Sequence, residues 1–238
     1  MFHHLVAGVL YDAKTSLARF PMVAMPMQRA RGRGELLDGD TDVVIEAFPR
    51  CASSFAVAAF RLAQEPTPTR IAHHTHMPAQ VMRSVRAGVP TLVLTRQPVD
   101  AVVSHLIRSP DLGANAAVRG FLRFYEPLVP LRHGFVTATF EEVVGSFGAA
   151  IARLNDRFGT SFGLFEHTRE HVERIEGEIE RDYRTREGSA ERLEAVIPRP
   201  SAAREAIKLE VTERVRREVA PRTLARAHAA YRALLPST

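Results

Sequence analysis

Three short segments carry residues whose types and spacing suit chemistry on an anion. Phe48-Pro49-Arg50-Cys51-Ala52-Ser53-Ser54-Phe55 joins a β-branched run, Asp42 to Phe48, to a helical pattern. Small residues in such a turn let backbone amides approach a phosphate, and the following helix N-terminus favours negative charge. Ser53 and Ser54 add hydroxyl donors, and Arg50 adds a fixed charge with a fork of donors. An ordinary strand–helix turn with a serine cap has the same composition. His76, in His73-His74-Thr75-His76, has a side chain that titrates near neutrality and can take a hydroxyl proton. Arg96 follows a third apolar run, Thr91 to Thr95, and can fork onto a phosphate. Ser104 lies eight residues further on, so the chain must bend at Pro98 for both to reach one phosphate. Arg96 can equally cap its strand by pairing with Asp100.

Other chemistries fit less well. The nucleotide-triphosphate motif GxxxxGK[ST] is absent. A cysteine phosphatase reading of Cys51 wants an arginine six residues later, and position 57 is Val. The histidine cluster invites zinc, but adjacent histidines on a strand point to opposite faces and rarely share one ion. His74 and His76 can share a face, yet a third ligand is not visible. No metal is expected.

These residues need a frame. Strands are expected at 42–48, 70–74, 91–95 and 134–140, with helices at 53–64, 78–88, from Pro98, at 118–131 and over 141–158. The alternation implies an α/β fold, a parallel sheet of four or five strands covered by helices on both faces. Ligands in such folds sit at the carboxyl ends of the strands, where all three segments fall. Residues 1–41 read as an irregular N-terminal extension that packs on the core or covers a site. A charged helical stretch runs over 166–194, then a Pro-containing loop at 197–201 and two helices, 203–219 and 222–235.

The three segments also resemble a family, the sulfotransferases that use 3′-phosphoadenosine 5′-phosphosulfate (PAPS). Residues 48–55 resemble that family's 5′-phosphosulfate loop, YPKSGTTW. His74-Thr75-His76-Met77-Pro78 looks like its KTHLP segment, and Arg96 to Ser104 like its 3′-phosphate segment, RxPxDxxxS. Thr139-Phe140-Glu141-Glu142 is a weaker match to a YEDL-like strand end, and the resemblance covers about residues 43–160. It implies a three-layer P-loop-like fold over 42–238 and transfer of a sulfuryl group from PAPS to an acceptor hydroxyl, leaving 3′,5′-adenosine bisphosphate (PAP). It further implies that Arg50 stands beside the transferring group and that Cys51, Ala52, Ser53 and Ser54 hold the 5′-phosphate and sulfate. Phe55 would meet adenine, Arg96 and Ser104 the 3′-phosphate, and His76 would be the base. Ala52 stands where the family has glycine, so a backbone angle that glycine alone takes freely is not expected there. The family's RKG phosphate motif is absent, and Arg199, Arg204 or Lys208 would take its place. The alternatives are a small-molecule kinase on a related fold and a non-catalytic nucleotide-binding relative.

Composition agrees with an ordinary globular protein of one domain. The 238 residues are 45% hydrophobic and 25% charged, with 32 basic against 27 acidic side chains, net +5. That excess suits a polyanionic ligand, and no basic run is dense enough for a nucleic-acid tail. One cysteine excludes an internal disulfide and agrees with a reducing compartment. No apolar run reaches the ~18 residues of a bilayer span, and residues 5–10 lack a signal peptide's basic head, so a cytoplasmic enzyme is expected. The acceptor and the oligomeric state have no readable code.

Overall fold

The computed structural model describes residues 2–32, 34–186 and 202–236. Four strands, β1 (Val43–Ala47), β2 (Ile71–His73), β3 (Thr91–Thr95) and β4 (Val136–Thr139), form one sheet in the order β2-β1-β3-β4. All three pairings are parallel, with Ile45 opposite His73 and Leu92, and Leu92 opposite Val136. Every residue of β1 and β3 is buried, as continuous apolar runs in a doubly covered parallel sheet should be.

Crossovers set the faces. Helix α3 (Ser53–Ala63) carries the chain from β1 out to β2, and α4 (Pro78–Ala87) carries it back past β1 to β3. Right-handed crossovers running in opposite directions place those helices on opposite faces. Helices α5 (Pro98–Arg108) and α6 (Ala114–Tyr125) follow on the α4 side, whereas α7 (Phe140–Phe158) packs beside α3 on β3 and β4. Helix α8 (Arg169–Arg186) lies against α3, and α9 (Ala202–Glu218) and α10 (Pro221–Leu234) lie against α5 and α6. The core runs through both layers, with Phe48, Phe60, Phe121, Tyr125 and Phe147 fully enclosed.

Two expectations about elements need correcting. Residues 2–31 are not irregular: α1 (Phe2–Leu17) and α2 (Pro21–Arg31) are helices, the latter opened by Pro21 at its first turn. Their apolar residues do not form one stripe, because Val9, Leu10 and Met22 face outward. Tertiary contacts hold α1 instead. Asp12 pairs with Arg119 and Arg123 of α6, and Thr15 Oγ1 accepts from Arg123 Nη1 at 3.0 Å. The helix expected at 118–131 runs from 114 to 125 and continues as 3-10 turns over 126–134. Pro127 and Pro130 withhold the amides that a longer α-helix would need. Among the described residues no helix is long and apolar enough to cross a membrane.

Candidate functional site

Strand β1 lies between β2 and β3, and the chain leaves β1 and β3 toward opposite faces of the sheet. That divergence opens a crevice beyond their carboxyl ends. The loops after β1, β2 and β3 meet there, and they carry the expected site residues.

The first loop is held from below. Tyr125 Oη, fully buried, donates to Leu94 O at 2.7 Å and accepts from Phe48 N at 3.3 Å, and it lies 3.5 Å from Cys51 Sγ. One phenol therefore ties the end of β3 to the loop after β1. Burial pushes the Cys51 thiol up to about 12, so Cys51 is a small packed residue and no nucleophile. Arg50 and Ala52 have positive φ, 71° and 63°. This corrects the expectation for Ala52: the left-handed angle that glycine takes freely is required, and alanine adopts it at a cost of about 1–2 kcal/mol. Ala52 occupies the N-cap of α3 and no side chain caps that helix, so the serine-cap alternative does not hold. Its first-turn amides stay available to an anion.

Three expected residues are joined by direct contacts. Arg50 Nε donates to Ser104 Oγ at 3.2 Å, and Arg96 Nη1 donates to Arg50 O at 3.2 Å. Pro98 starts α5 and turns Ser104 back toward the loop. Arg96 lies over the Phe140 ring, 3.9 Å from its centroid, where the weak YEDL-like match falls. Thr139 of that match accepts from Glu142 N and caps α7. Tyr183 of α8 is an addition: its hydroxyl accepts from Arg50 Nη1 at 3.3 Å, and Arg108 lies over its ring. Phe55 is buried, edge-on to Phe165 and 5.9 Å from the His167 ring. Arg199 and the side chain of Arg204 lie outside the described residues. Lys208 is half-buried on α9, which packs on α5.

Glu46 builds the turn that presents His76. It is fully buried in β1 and accepts from Thr75 N, Thr75 Oγ1, His76 N and Gln80 Nε2 at 2.7–3.0 Å. Burial pushes its carboxyl up to about 7 against the pull of those donors. His76 Nδ1 lies 2.8 Å from Ala47 O. A carbonyl only accepts, so Nδ1 carries the proton and neutral His76 holds its lone pair on Nε2. Burial lowers the His76 pKa, and the Ala47 carbonyl partly opposes this.

His73 and His74 do not point apart. β2 ends at His73, His74 takes φ 58°, and their Nδ1 atoms come within 2.6 Å. Donor logic fixes the protons. Arg61 Nη2 can only donate, so His73 Nε2 accepts at 2.9 Å and the proton of neutral His73 sits on Nδ1. His73 then donates to His74 Nδ1, and His74 Nε2 donates to Ser54 Oγ at 3.3 Å. Ser54 is left with its own proton to give to a ligand. Burial lowers His73 to about 4, which keeps this order intact near neutrality.

No family model and no curated protein matches this chain. Its site therefore rests on its own geometry. The sequence had one usable pointer to Glu46, a lone acid inside an otherwise apolar strand, since a buried charge needs partners. Tyr125 and Tyr183 lie far from the motifs and carry no such signal.

Proposed function

We propose that this protein is a sulfotransferase, moving a sulfuryl group from PAPS to an acceptor hydroxyl on a P-loop-like fold. The observation that carries the reading is the union of Arg50, Arg96 and Ser104 at the ends of β1 and β3, and His76, whose Nδ1 faces Ala47 O at the end of β1, would serve as the base through Nε2. Sulfuryl transfer, like phosphoryl transfer, is mostly positioning and electrostatic stabilisation of charge on the equatorial and bridging oxygens. The uncapped amides of α3, the Ser54 proton and the Arg50 charge suit the 5′-phosphosulfate. Arg96 and Ser104 suit the 3′-phosphate, provided the Arg96–Arg50 contact yields to the ligand.

His76 takes the hydroxyl proton at Nε2 as the acceptor oxygen bonds to sulfur. The bond from sulfur to the 5′-phosphate oxygen breaks, and PAP leaves. General-base help of this kind is worth about 10²–10⁴-fold. The acceptor lies on the face of His76 turned toward α1 and α2, so the N-terminal segment forms an acceptor wall. Incubation with PAPS and 4-nitrophenol, followed by chromatography of PAP, tests the activity. PAP and nitrophenyl sulfate formed in equal amounts support it. PAPS left intact beside a battery of phenols and alcohols contradicts it.

A further inference from the structure

Helix α1 turns polar groups inward and apolar ones outward. Asp12 and Thr15 bind arginines of α6, while Val6, Val9, Leu10, Ala13 and Leu17 stand exposed at the three- and four-residue steps of one helix stripe. On α2, Met22, Pro26 and Arg29 share the exposed side at i, i+4 and i+7, with Val23 beside them. Eleven large apolar side chains are exposed among the described residues, and seven of them lie between residues 6 and 23, so this is one patch and not scatter. α1 packs on α6 and α2 on α4, two helices of the same face of the sheet, so both exposed sides look away from the sheet together. A cavity of about 110 Å³ beside His76 is lined by Tyr11 and Leu17 of α1 and by Met27 and Arg31 of α2.

We propose that the exposed side of α1 and α2 docks on an anionic lipid surface, with Leu10, Phe20 and Met22 entering the headgroup boundary and Arg19, Arg29 and Arg31 meeting lipid phosphates and carboxylates. Charge selects this occupant. Residues 13 to 34 contain five basic side chains and no Asp or Glu, which matches the +5 of the entire chain, so the remainder is balanced. Arg19, Arg29 and Arg31 are exposed. The neighbouring acids are bound elsewhere: Asp12 by Arg119 and Arg123, and Asp38, whose charge Arg29 also feels, by Arg70. A second copy of this chain would bring the same cations face to face, which costs free energy. The apolar side chains protrude, with Leu10 66% and Met22 89% exposed, and a lipid boundary accepts such protrusions without a matching socket. An apolar stripe with arginines beside it is the pattern of a helix that lies in the interface plane. Docking there sets the acceptor cavity beside the lipid, but the proposal stands without the sulfuryl-transfer reading.

The test is flotation of the full chain with phosphatidylcholine vesicles, with and without about 30% phosphatidylserine, at about 0.1 M and about 0.5 M salt. The protein should float with the anionic vesicles at low salt, less at high salt, and not with phosphatidylcholine alone. A basic residue near an anionic surface is worth about fivefold in affinity, so Arg19→Gln, Arg29→Gln and Arg31→Gln together should weaken binding by about 10²-fold. The same charge removed from the other side of the sheet, by Arg157→Gln, Arg169→Gln and Arg181→Gln on α7 and α8, should cost far less. Val9→Gln, Leu10→Gln and Met22→Gln together should weaken binding by at least about tenfold. Those three side chains are exposed, so thermal unfolding of this variant should match the parent. Binding lost equally by both arginine sets, or untouched by the apolar set, would mean that a basic protein adheres by charge alone and would overturn the docking face. No flotation with anionic vesicles would overturn it too, and a dimer in sedimentation that the apolar set dissolves would then assign the patch to a second copy.

Discussion

His76 and Arg96 reach the crevice from different strands, and single substitutions separate what each does. His76→Ala should bind PAP almost normally and lose turnover by about 10²–10⁴-fold. Turnover within a few-fold of the parent would put the base elsewhere. Arg96→Ala should weaken PAP by about 1.5–3 kcal/mol, the range for a charged hydrogen bond, read by titration calorimetry. Unchanged affinity would remove Arg96 from the site. His105 gives a pH prediction. Burial lowers it to about 3, with His76, Arg50, Lys14 and Arg108 adding to the shift and the Tyr11 and Phe48 rings packed on it. Its folded pKa lies below the unfolded value, so its contribution is present above about pH 6.5 and is lost as pH falls toward 3. His105→Phe should therefore lose less stability than the parent between pH 7.5 and 5 in urea denaturation. A parallel loss would contradict this. Most of these residues were legible in the sequence, because each sits in a short motif at a strand end. Glu46, Tyr125 and the His73–His74–Ser54 relay act through partners 20 to 77 positions away, and no local pattern encodes such partners.

The loop after β1 and helix α1 each depend on one backbone feature. Ala52→Gly removes the Cβ penalty of a left-handed residue, part of which the freer unfolded chain cancels. Stability by denaturant titration should rise, by up to about 1 kcal/mol. A fall would mean that the Ala52 methyl packs better than its backbone strains. Gly120 lets α1 approach α6: a Cβ there would lie 2.4 Å from Tyr11 Oη and 2.6 Å from Tyr11 Cε1. Gly120→Ala should destabilise the protein by about 1–3 kcal/mol, as overpacking does, and raise the acceptor KM because α1 walls the cavity. The four strands and the helices between them were legible, since β-branched runs and 3.6-residue stripes change at Pro and Gly boundaries. α1 and α2 were not, because ion pairs and the Tyr11–Gly120 contact hold α1 where hydrophobic periodicity does not.

At the scale of the whole molecule, the strand order β2-β1-β3-β4 puts one crevice over the carboxyl ends of β1 and β3, and the basic side chains Arg50, Arg96 and Arg108 gather there. On the proposed reading, a nucleotide with a 3′-phosphate would use more of that charge than one without. Thermal unfolding with PAP, set beside AMP and ATP with magnesium, tests this most directly. A ligand at about 100 times its dissociation constant adds about 2.7 kcal/mol, a shift of a few degrees for a domain of this size. PAP should give that shift, AMP little, and ATP with magnesium nothing specific. A shift with ATP and magnesium alone, or none with any nucleotide, would contradict the assignment of Arg50, Arg96 and Ser104 to a 3′-phosphoadenosine site.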